Sequence, residues 1–171
     1  MRNLIIGAVA AAALLGAPAA AEAATADPPW APVTNPLGPI TLPAGHNCTF
    51  AVDIFVVTNN ELQDVTKLAD GTTVTQKKGI LVLSFRNDTT GKTLNENVSG
   101  PTTETDSPHG SSGTFQGAGP TWLAFGPHGQ ANTREPGLVF IEGQVTVTFT
   151  NGIAKTFSLN GTQANGCALL S

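Results

Sequence analysis

Tyrosine is absent from this chain of 171 residues, methionine occurs once, tryptophan twice, and only 12% of residues are charged. Each shortage removes a class of function. Eight Lys and Arg against twelve Asp and Glu, a formal charge of −4, leave nothing with which to build a nucleic-acid groove or a patch for anionic membranes. Few aromatics argue against a row of sugar-stacking platforms. Catalytic signatures are missing as well. No GxSxG elbow organises Ser84, Ser99, Ser107, Ser111, Ser112 or Ser158, and no GxGxxG or phosphate loop occurs. His46, His109 and His128, even joined by Asp106 or Glu135, lack the short spacing of HExxH or paired Cys/His sites, so neither a metal nor a cofactor is expected. Glu104, Asp106, Glu135 and Glu142 permit a glycosidase-like carboxylate pair, but so would any chain with this many acids.

Long hydrophobic runs are missing beyond the first fifteen residues. Residues 1 to 23 carry Arg2, an apolar stretch over residues 4 to 15, a break at Gly16 and Pro18, and small residues at Ala21 and Ala23. This is the layout of a secretory signal peptide cleaved after Ala23, with Ala26 the next choice. The stretch is short for a bilayer span, which needs about 20 apolar residues. There is no twin arginine, no cysteine beside the cleavage site to carry a lipid, and no hydrophobic tail before Ser171. The expectation is a secreted, extracellular protein with no transmembrane segment once the signal is removed.

Cysteine is limited to Cys48 and Cys167. Two alone make neither a zinc site nor a CxxC redox pair, and in an oxidising compartment an even pair is most simply a disulfide. Residues 24 to 47 contain Pro28, Pro29, Pro32, Pro36, Pro39 and Pro43 and read as an extended lead-in, because proline blocks both helix and central strand. Residues 48 to 171 then form a single β domain.

What the chain does possess is alternation. In GLVFIEGQVTVTFTNGIAKTFSLN, residues 137 to 160, Val139, Ile141, Val145, Val147 and Phe149 are apolar between polar Glu142, Gln144, Thr146, Thr148 and Thr150. This is the period of a half-buried strand. Gly143 on the apolar face marks a bulge or bend. A two-residue Asn151-Gly152 turn would put Phe157 on the polar face, so a three-residue loop over Thr150, Asn151 and Gly152 is predicted, with Val145 facing Phe157. Upstream, residues 48 to 57 alternate with both faces largely apolar, as in a strand covered on both sides or one whose second face lies under the lead-in. Asp53 is the odd residue there, a strand-edge acceptor or a site carboxylate. Asn59-Asn60, Asp70-Gly71, Gly79 and residues 87 to 91 punctuate further strands, and residues 121 to 125 (TWLAF) form another. Residues 127 to 136 form a loop carrying His128, Arg134 and Glu135, and residues 164 to 170 are the only helix candidate. The fold class is all-β: an antiparallel meander closing into a β-barrel, or else a β-sandwich, with a disulfide joining the first strand to the C-terminus.

The signal peptide, the Cys48-Thr49-Phe50 opening, the GLVFIEGQV segment and the ending Asn165-Gly166-Cys167-Ala168-Leu169-Leu170 together resemble a group of small secreted actinobacterial proteins of unknown function. The resemblance implies export, a β domain and the Cys48–Cys167 bridge, and carries over no activity. A looser likeness to calycin and dirigent-type barrels suggests small-ligand binding by analogy alone.

The functional expectation is a non-catalytic binding or envelope-associated protein, its partner an apolar small molecule or a cell-envelope component. Trp122, Phe125, Phe140 and the Val145-Val147-Phe149 face form packed core or else line its cavity, with Asp53, His128, Arg134 and Glu135 at the rim. The alternative is a barrel-type cyclase, isomerase or hydrolase using those rim groups. Asn47, Asn87, Asn97 and Asn160 head N-x-S/T triplets, which matter only on a eukaryotic secretory route.

Overall fold

The computed structural model describes residues 30–34, 40–126 and 137–171. The strands are β1 (Ala31–Pro32), β2 (Ile40–Leu42), β3 (Val52–Lys67), β4 (Thr73–Asn87), β5 (Thr93–Asn97), β6 (Thr102–Asp106), β7 (Ser112–Ala118), β8 (Thr121–Phe125), β9 (Gly137–Thr150) and β10 (Ile153–Asn165). A single helical turn, α1 (Gly166–Leu170), follows. All pairings are antiparallel and belong to one sheet, in the order β1-β3-β4-β6-β7-β9-β10.

Two long hairpins organise this sheet, and each changes partners at a glycine. Below Gly143, β9 pairs with β8; above it, β9 pairs with β7. Likewise β4 pairs with β6 before Gly79 and with β5 after it. Both glycines have positive φ, +116° and +120°, where a side chain is strained. A Cβ on Gly143 would collide with the Asn160 carbonyl, and one on Gly79 with the Asn60 carbonyl. The register across each hairpin continues unbroken through the glycine, so these are bends rather than bulges.

Bending folds two wings of the sheet face to face. One wing supplies Val52, Ile54, Leu83 and Phe85, and the other supplies Leu138, Phe140 and Trp122. The Phe85 ring meets Phe140 and Trp122 edge-on, at 4.9 and 5.5 Å between centroids. A second cluster contains Phe125, Val139, Ile141, Val145 and Val147, with Phe115, Leu123, Phe157 and Leu159 against it. The odd-numbered face of β9 is thus interior, as its alternation requires. Leu138 and Phe140 are buried in the first cluster, so the start of β9 is covered on both sides.

Several expectations need correction. The sheet is open: β1 and β10 end the path among the described residues and do not pair, so the closed barrel is not formed. The Cys48–Cys167 disulfide exists, with Cα atoms 5.4 Å apart, but Cys48 lies in the connection between β2 and β3 and is not on the first strand. The lead-in adds two short edge strands to β3, where proline is tolerated. Asn59-Asn60 does not turn the chain. Asn59 stays in β3, donates through Nδ2 to the Val33 carbonyl at 2.7 Å, and accepts from the Glu61 amide at 3.0 Å. No described residue of the lead-in roofs the outer side of β3, where Phe55 and Val57 are exposed and Arg86 lies over the Phe55 ring.

The β9–β10 loop also differs. Asn151 and Gly152 have φ of +53° and +71°, as a two-residue type I′ turn requires. The register then shifts between Ala154 and Thr156, so that exposed Lys155 is the extra residue and Phe157 faces Val147. A bulge restores what the turn alone would spoil. It places Phe157 against Phe125, 5.6 Å between ring centroids.

Candidate functional site

Register alone builds the site. Thr75, Glu104, Phe115, Val147 and Phe157 stand opposite one another across β4, β6, β7, β9 and β10. The neighbouring row is Gln63, Lys77, Thr102, Gly117, Val145 and Leu159, and Glu61 opposite Gly79 lies in the row beyond. Cross-strand partners share a face, and so do residues two apart on one strand. The inner face of the sheet therefore grades from charged on β3, β4 and β6 to apolar on β7, β9 and β10.

Two adjoining hollows follow that gradient. A pocket of about 320 Å³ is lined by Glu61, Lys77, Glu104, Thr121, Trp122 and Phe115 among others. A groove of about 670 Å³ is lined mainly by Phe115, Leu123, Phe125, Val147, Phe149 and Ala154, with His46 and Glu104 at its polar margin. Glu104 and Phe115 belong to both, so the two form one amphiphilic cleft.

Glu61 is only 8% exposed. Burial holds its carboxyl above the ordinary range, and nearby Lys77 offsets this in part. Half-buried Glu104 is raised by the same desolvation, then by repulsion from Asp106, again with Lys77 opposing. Among the described residues Lys77 nevertheless closes an ion pair with neither. A carboxyl whose folded pKa lies above its unfolded value costs stability once pH rises past the unfolded value, because ionisation then proceeds against the fold. Glu61→Gln is accordingly expected to melt higher than the parent near pH 7, with the advantage vanishing as pH falls below 4.5. Thermal melts between pH 4 and pH 8 measure this, and equal melting at neutral pH would contradict the burial argument.

Of the residues singled out by sequence, the structure brings Trp122 and Phe125 to the cleft walls, with Val147 and Phe149. Phe140 packs on Phe85 instead. Asp53 lies apart. It accepts from Thr41 Oγ1 at 2.7 Å and from Arg86 Nη2 at 2.6 Å, the side chains opposite it on β2 and β4. These bonds, the Thr41 hydroxyl first, hold its carboxyl below the usual range, as for an acid used in a surface ion pair. His128, Arg134 and Glu135 lie outside the described residues. No three His, Cys, Asp or Glu side chains converge as a metal site among the described residues.

Glu61 and Lys77 escaped sequence reasoning because Asn59-Asn60 reads as a turn and so interrupts β3. The alternation Asn59, Glu61, Gln63 continuing past it was the available signal. Asn87, head of one N-x-S/T triplet, is 2% exposed and donates to the Leu170 carbonyl at 3.0 Å, so a glycan has no room there. No family model matches this chain, nor does any curated protein or solved structure. No helix among the described residues is long and apolar enough to cross a membrane.

Proposed function

We propose that this chain is exported and acts as a non-catalytic binding protein, taking a small molecule or envelope component with an apolar body into the cleft between the folded-over halves of its sheet. The observation that carries the reading is the 670 Å³ groove walled by Leu123, Phe125, Val147 and Phe149, within the size range of small-ligand sites and apolar as they are. The Cys48–Cys167 bridge supports the oxidising compartment that the first 23 residues call for. The clamp is that of a bent, sandwich-like sheet rather than of a closed barrel.

A catalytic reading draws on one observation, the raised pKa of Glu61 and Glu104 in a cleft. Asp53, which that reading placed at the mouth, is committed to Arg86 instead.

Native mass spectrometry of protein purified from culture medium tests the proposal. The expected result is a mature chain carrying a non-covalent small molecule, released intact on denaturation and absent from an Ala154→Trp variant that fills the groove. A bare polypeptide mass would overturn retained-ligand binding, and recovery of a cleaved product would move the protein to the catalytic reading.

A further inference from the structure

We propose that the pocket end of the cleft selects a cationic head group, so that the ligand is an amphiphile with an ammonium-like charge at one end and a hydrocarbon body at the other. The inference rests on the binding reading above and names its ligand class.

Three observations carry it. First, Glu61 is more than nine-tenths buried, lines the pocket, and its carboxyl has no hydrogen-bonding or ion-pair partner among the described residues, while neither of its oxygens is sealed from solvent, so the carboxylate opens on the pocket. Its one side-chain neighbour of opposite charge, Lys77, acts on it only at a distance. Desolvation disfavours the charge of a carboxylate placed this way, and a ligand donor that reaches it through the pocket offsets that penalty. Second, the charge balance is negative: Glu61 and Glu104 face a single lysine, and Asp106 adds repulsion behind Glu104. An incoming cation is favoured there and an anion is not. Third, Trp122 shares the pocket lining with the two carboxylates, and an indole ring suits an ammonium group through its π-face charge distribution. The apolar groove begins where the charged pocket ends, at Glu104 and Phe115, so head and body would be bound side by side.

Three probes with the same tail and different heads decide the matter: n-octylammonium, n-octanol and octanoate, kept below micelle-forming concentrations. Binding is followed by Trp122 fluorescence in a Trp30→Phe background, Trp30 lying under Lys78 outside the cleft lining, and by calorimetry. Octylammonium is expected to bind about tenfold more tightly than octanol, the scale of one charge-assisted bond, with octanoate weakest. Glu61→Gln and Glu104→Gln should each remove about that factor for octylammonium while leaving octanol within about twofold.

Both substitutions keep size and shape, and Glu61→Gln is expected to gain rather than lose stability at neutral pH, so lost binding cannot be ascribed to misfolding. Equal affinity for octanol and octylammonium, preference for octanoate, or indifference to both Gln variants would overturn the cationic head while leaving an apolar-binding groove. Failure of all three probes would overturn the groove as well.

Discussion

Truncating Phe85 to alanine is expected to cost about 3–5 kcal/mol, the range for removing a buried aromatic side chain from a core that cannot collapse around the gap. Phe85 is fully buried and is the ring by which one wing of the sheet touches the other. Its wing is fixed by the β3–β4 and β4–β5 ladders, and the rings of Phe140 and Trp122 are fixed by the β8–β9 ladder. Neither side is free to move into the space left behind, so both edge-to-face contacts are lost with the apolar burial. Chemical denaturation measures the loss directly. In a Trp30→Phe background the emission of Trp122 should also shift to longer wavelength in the folded variant, because the indole loses a neighbour. A cost below about 1 kcal/mol would mean that the wings are held by something other than this contact.

The strand content of this fold is legible in its sequence where alternate residues are buried, as at Leu81, Leu83 and Phe85 of β4 and Val145 and Val147 of β9. Alternation marks the interior of β9, and residues 121 to 125 form β8 as their pattern predicts. The helical turn α1, the one helix among the described residues, falls within residues 164 to 170, the segment that the sequence allows, and is closed by the Asn165 side chain accepting from the Ala168 amide at 3.1 Å. Closure is where sequence reasoning ran short. A meander whose ends are joined by sulfur suggests a barrel, yet paired cysteines constrain only the two residues they join. Gly79 and Gly143 could be recognised as irregular, but not as positions where a continuous strand exchanges one neighbour for another. That exchange depends on long-range pairing of β5, β6, β7 and β8, which carries no local signature.

The cleft was half legible for the same reason. Its apolar end follows from the alternation of a single strand, β9. Its charged end exists only because Glu61, Lys77 and Glu104, on three different strands, are brought into adjacent rows by register. Asparagine doublets and Asn-Gly pairs are read as turns because their side chains imitate backbone. At Asn59 that side chain instead ties β3 to the Val33 carbonyl, and the strand runs on.

Removing the disulfide, by Cys48→Ser with Cys167→Ser, is expected to lower stability by about 2–5 kcal/mol, and the melting temperature by roughly 5–20 °C. The bridge spans 119 residues of sequence, and a cross-link over so long a loop restricts the unfolded chain strongly. The folded state should change far less. Leu170 remains fully buried, its carbonyl still accepts from Asn87, and Lys92 Nζ still donates to the Ser171 carbonyl at 2.7 Å. The C-terminal turn is therefore held to β4 and the β4–β5 connection by contacts independent of sulfur. The double variant should be folded at 25 °C, with parental circular dichroism, and should melt early. Reductant should bring the parent to the same midpoint and leave the variant unmoved. If the parent ignores reductant and two thiols titrate in the native protein, the bridge is not formed in solution; if the variant fails to fold even when cold, the contacts around Asn87 and Leu170 are too weak to hold the C-terminus alone.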